Sequence, residues 1–156
     1  MVFLEKFYGL LLVVHLLVTF VLVGSMTHNL FWVFGYIRGK FGRLKLQRRC
    51  AKVSLWAYII VYVIGALIYP AYRVYIRHHY FDPQLPWATG LFEVKEHWAA
   101  LGLALLVVYY LLGKRFDPAQ EREKLFFFAP LCLLVNLIVW YKVIVGCYLT
   151  YLKGSW

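Results

Sequence analysis

Apolar residues run almost without interruption over four stretches of this chain, at about 3–34, 53–76, 91–113 and 125–152, and polar residues gather in the short segments between them. A hydrocarbon core about 30 Å thick is crossed by roughly 20 helical residues, so each stretch is long enough to span a bilayer. The pattern predicts an all-α protein: an integral membrane four-helix bundle, with residues 1–156 forming a single transmembrane domain. The start of the first stretch, Lys6 followed by an apolar run and then Val23-Gly24-Ser25, has the form of a signal peptide with a small-residue cleavage site. It is read here as a retained span.

Composition agrees with the pattern. The chain is 63% hydrophobic and 20% aromatic, with a mean hydropathy of +0.69, far above the usage of soluble domains. Charge adds an orientation. Arg38, Lys40, Arg43, Lys45, Arg48, Arg49 and Lys52 separate the first two spans, and Lys114, Arg115, Arg122 and Lys124 separate the last two. By the positive-inside rule these two loops are expected in the cytoplasm. The connection from Arg73 to Glu96, which carries Asp82, Glu93 and Glu96, then faces the outer (periplasmic) side together with both termini. The net charge of +10 is explained by these loops, so lipid headgroups are expected partners and nucleic acid is not. The expected location is the bacterial inner (cytoplasmic) membrane.

Motif chemistry is sparse. Cys50, Cys132 and Cys147 form no spaced pair, and no CxxCH segment for covalent haem, no phosphate-binding glycine loop and no GxSxG or HExxH occurs. The informative residues are polar ones inside the spans, because an ionisable group at membrane depth is costly and marks a functional site. His15 is one. At about 100° per residue, Tyr8, Thr19, Met26 and Asn29 fall within about 40° of it, a polar stripe that should turn into the bundle. His28 is rotated by about 140° and reads as an interfacial residue. His97, about two turns into the third span, is the expected partner of His15, beside a face containing Ala100, Leu101, Ala104 and Val108. Two imidazoles from different helices are a standard way to hold haem b.

The second span repeats Tyr58, Tyr62, Gly65, Tyr69 and Tyr72 at intervals of four and three, with Pro70 expected to loosen or kink the helix. Arg73 and Arg77 continue toward the outer surface, where they are candidates to hold haem propionates. Lys142 lies about 15 Å before the end of the fourth span, and Glu93 and Glu96 are its candidate partners.

His15-Leu16-Leu17 with Gly24, and Phe92-Glu93-Val94-Lys95 at the start of the third span, resemble the first and third helices of the copper-resistance D family and its relatives, which include bacterial membrane protoporphyrinogen oxidases. The resemblance covers about a third of the chain. It implies a haem-b-binding four-helix membrane fold with His15 and Lys95 in the places of that group's histidine and lysine. The oxidases' aromatic-proline-arginine segment does not follow Gly24, which weakens an inference of porphyrinogen oxidation. Lys95 and His97 project about 160° apart, so one pocket admits only one of them; general haem chemistry favours His97.

The expectation is a small b-type haem protein that transfers electrons, as a subunit of a larger respiratory or photosynthetic complex. His15 and His97 would be the metal ligands, Arg73, Arg77, Tyr69 and Lys95 the other candidate cofactor contacts, and other membrane subunits, lipids and a quinone the candidate partners. The alternatives are a cofactor-free accessory subunit and a porphyrinogen oxidase-like enzyme; copper handling through His15, Met26 and His28 is disfavoured by the presence of only 2 Met.

Overall fold

The computed structural model describes residues 3–154, and every regular element among them is helical. A 3-10 turn at Glu5–Phe7 leads into α1 (Tyr8–Ile37). α2 (Leu44–Tyr72) passes without a break into a π-helical segment at Arg73–Phe81 and a short turn at Asp82–Gln84. α3 (Pro86–Arg115) and α4 (Leu125–Gly154) follow, the latter after a 3-10 turn at Arg122–Lys124. Four helical runs are long and apolar enough to cross a membrane.

The second helix starts at Leu44 rather than near Val53, because the basic stretch also folds: Gln47 and Ala51 are buried while Lys45, Arg49 and Lys52 stay out. Pro70 does not end it. The proline removes one N–H from the ladder, yet the Tyr69 and Pro70 carbonyls still accept from the Arg73 N–H, and the chain goes on in the wider π register.

The loops are short and locally specified. Gly39, at φ 77°, ends α1. Its N–H donates to Tyr36 O at 2.9 Å, and the Lys40 N–H donates to Gly35 O at 2.9 Å, the paired bonds of a Schellman cap, which needs a left-handed residue. Leu85, at φ -138° and ψ 63°, leaves helical geometry ahead of Pro86, which disfavours that geometry in the residue before it, and separates the Asp82–Gln84 turn from α3.

The helices pack as a ring in which α1 touches α2 and α4, and α3 touches the same two. Two apolar cores result. One, toward the end that carries the basic loops, contains Met26, Val33, Tyr36, Tyr58, Leu106, Tyr109, Phe128, Cys132 and Val135. The other, toward the end that carries the termini, contains Ile76, Phe81, Ala88, Phe92, Val145 and Leu149. α1 joins the first core fully, through Leu22, Ser25, Met26, Asn29, Val33 and Tyr36. Its stretch from Phe3 to Val21 has no buried residue. Outside the ring the wall is apolar, with Phe20, Phe31, Leu137 and Ile144 all strongly exposed.

Candidate functional site

Between the two cores lies a layer of titratable side chains to which every helix contributes. α1 supplies His15. Its imidazole lies against Gly65 of α2, where a Cβ would sit 3.5 Å from His15 Cε1, and reaches the backbone carbonyl of Val61. Nδ1 of this ring is buried and has no hydrogen-bond partner among the described residues. That is unusual for a helical histidine here: His28 Nδ1 sits 2.7 Å from Gly24 O, and His97 Nδ1 sits 2.7 Å from Glu93 O. In His15 the i−4 carbonyl is not used, so the ring is free to take a partner across the bundle. A buried polar atom without a partner costs roughly 1–3 kcal/mol.

α2 supplies Tyr58, which is fully buried and donates its hydroxyl to Ala99 O at 3.0 Å. Lys142 of α4 places its ammonium 5.2 Å from the centre of the Tyr58 ring, an attraction that strengthens away from water. α3 supplies Lys95 and Glu96, paired at 3.0 Å. Lys95 also lies 4.7 Å over the Phe92 ring, and its side chain is only 17% exposed. Lys95, Glu96 and Lys142 all lie close enough to His15 to bear on its charge, and Glu96 and Lys95 bear on Lys142. An imidazole, two ammonium groups and a carboxylate thus lie near one another, the Glu96 carboxylate on the exposed side.

This placement changes the expected ligand set. His97 is exposed and bonded to its own helix, so the structure does not bring it to His15. The 160° divergence on α3 is settled in favour of Lys95 facing the interior. Lys142 does not pair directly with either expected carboxylate: Glu96 is taken by Lys95, and Glu93 lies 2.8 Å from Arg77.

Tyr69, Arg73 and Arg77 are brought together, around an open cleft of about 510 Å³ that is also lined by Pro70, Val74, His78 and Asp82. His15 is not part of its lining. Arg73 is exposed, whereas Arg77 is committed to Glu93 and, at 3.4 Å, to Asp82. Asp82 accepts in turn from Thr89 at 2.7 Å. These bonds tie the π segment to the start of α3. Tyr72 stacks on Phe92 at 4.2 Å and Tyr69 lies 6.1 Å from it, so the outer tyrosines form aromatic packing against α3. The stripe on α1 is buried only at its later end, with Met26 and Asn29 completely buried and Tyr8, His15 and Thr19 partly exposed.

Sequence reasoning missed a second polar assembly, in the core near the basic loops. Gln47 donates to Tyr109 OH at 2.7 Å and to Asn29 Oδ1 at 3.4 Å, Asn29 donates to Ser54 Oγ at 3.3 Å, and Ser54 donates to Ser25 Oγ at 2.8 Å. A signal for it exists, since Gln47, Ala51, Ser54 and Tyr58 extend the four-and-three spacing of the tyrosine stripe backwards. The layer and the fold define a four-helix bundle with helices of membrane-spanning length and a belt of partly exposed charged side chains. Beyond that class, comparisons with protein-family models, curated proteins and solved structures give no match to this chain.

Proposed function

We propose that the chain is an integral membrane protein with its basic loops in the cytoplasm and both termini outside, and that it binds haem b through His15 and transfers electrons within a larger membrane complex. The observation that carries the reading is the His15 ring, set in a belt built by all four helices, with a buried Nδ1 that has no hydrogen-bond partner among the described residues. Two features bear on a ligand at this side: Gly65, against which the ring packs, brings no side chain of its own, and no residue from Phe3 to Val21 is fully buried.

When bound, haem supplies a one-electron redox centre whose potential follows its ligands and surroundings. The chain's part is to hold and shield it. His15 would offer the imidazole, and Lys95 is the further candidate contact, as the resemblance to the copper-resistance D group implies. Lys142 and Glu96 set the local field, with Tyr58 fixing the position of the lysine. Arg73 is the available cation for propionates, while Arg77 serves as a strut to Glu93 and Asp82. Lipids, neighbouring subunits and a quinone acceptor are the partners this role requires. A cofactor-free accessory subunit is the second reading, favoured by the same unburied stretch of α1, which leaves a helix face open to neighbours.

The absorption spectrum of the purified, dithionite-reduced protein separates the two. Haem binding predicts a b-type alpha band that His15→Ala abolishes and His97→Ala leaves intact. A band that survives His15→Ala removes the proposal, and absence of the band from the unsubstituted protein favours the accessory role.

A further inference from the structure

A second cleft, of about 860 Å³, opens at the basic-loop end between α3 and α4, lined by Leu111, Leu112, Lys114, Arg115, Lys124 and Phe127, with Phe116, Phe128 and Glu121 completing it. Its two halves differ in chemistry. The part lying along the helices is apolar, with Leu111, Leu112 and Phe127 well exposed, the phenylalanine at 73%. The rim at the helix ends is cationic.

The floor is firmly built. Phe128 lies 4.7 Å from the Tyr109 ring and 4.8 Å from that of Phe116. Arg48 reaches across from α2 and donates to Gly113 O at 3.1 Å and to Phe116 O at 2.9 Å. That contact matters for the rim. Basic residues in a last helical turn ordinarily answer the free carbonyls there, but Arg48 already does so at the end of α3. Lys114 lies 4.8 Å over the Tyr110 ring and forms no ion pair among the described residues. Arg115 is exposed and, among the described residues, has neither an ion pair nor a hydrogen bond. The one carboxylate in the lining, Glu121, is hydrogen-bonded by Lys124, which holds its carboxyl below the usual glutamate range.

We infer that this cleft binds one anionic phospholipid, with the headgroup phosphate on Lys114 and Arg115 and an acyl chain along Leu111, Leu112 and Phe127. Charge complementarity selects the headgroup, and the apolar wall continuous with the cationic rim selects a lipid over a soluble anion. The inference is independent of any cofactor at His15.

Native mass spectrometry of the detergent-purified chain with added phosphatidylglycerol or phosphatidylcholine tests it. The expected result is one retained phosphatidylglycerol, preferred over phosphatidylcholine by about tenfold or more, with each rim charge removed costing about fivefold. Lys114→Gln/Arg115→Gln should lose that lipid, while Arg43→Gln/Lys45→Gln, at the start of α2, should keep it. Far-UV circular dichroism checks folding, and Arg115→Gln alone serves if the double variant does not fold. Equal retention of both lipids, equal loss in the two double variants, or equally tight binding of glycerol phosphate would overturn the inference.

Discussion

Gly102 shows how closely single residues are fitted in this bundle. A methyl group added there would run into the Tyr58 hydroxyl and come within 2.7 Å of Ile138 Cγ2. Tyr58 is pinned by its bond to Ala99 O and has no room to retreat. Gly102→Ala is therefore expected to lower stability by about 1–3 kcal/mol. Gly146→Ala, whose methyl meets nothing within 4 Å, should raise it by about 0.5–1 kcal/mol through helix propensity. Thermal midpoints in one detergent measure both, and equal shifts would contradict the packing of α2 against α3. Legibility at this scale was uneven. His15 stands out in the sequence because it lies in the middle of an apolar run, away from the ionisable residues Lys6 and His28 toward the ends of its span. Lys95 and His97 do not separate, because a helical wheel gives relative directions, and the face that turns inward is set by α2 and α4.

Among the elements, α2 carries the most non-local information. Its first turns lie in what reads as a charged loop, yet Gln47 there is buried and bridges α1 and α3 through Asn29 and Tyr109. Replacing Gln47 with Ala leaves the buried Tyr109 hydroxyl without this donor and should cost about 1–3 kcal/mol. Adding Tyr109→Phe should recover part of the loss, since both partners are then gone; strictly additive costs in a double-mutant cycle would show that the two do not interact. The far end of the same helix was anticipated only in outline. Pro70 signals a disturbance of the ladder, but the π register over Arg73–Phe81 goes together with the ties that Arg77 makes to Asp82 and Glu93, and these lie outside any local window.

For the whole molecule, the proposed orientation is open to direct test. Positive loops at one end predict that a reporter fused after Trp156 lies outside: an alkaline phosphatase fusion should be active and a fluorescent protein fusion dark. The reverse pattern would invert the proposed topology and put the lipid cleft on the opposite leaflet. The buried residues of α1 begin at Leu22, so His15 sits on the part of α1 that is only partly covered by the bundle.

The amino-acid sequence alone determined the helical class, four runs of spanning length and the singular position of His15, because these follow from apolar run length and from the cost of an ionisable group among apolar neighbours. Tertiary structure decided that Lys95 rather than His97 shares the belt with His15, that Lys142 rests on Tyr58, and that Gln47 is interior. The physical reason is the same for each: helical periodicity relates residues on one helix, whereas the direction that is inward, and the partner met there, depend on how the other three helices pack against it.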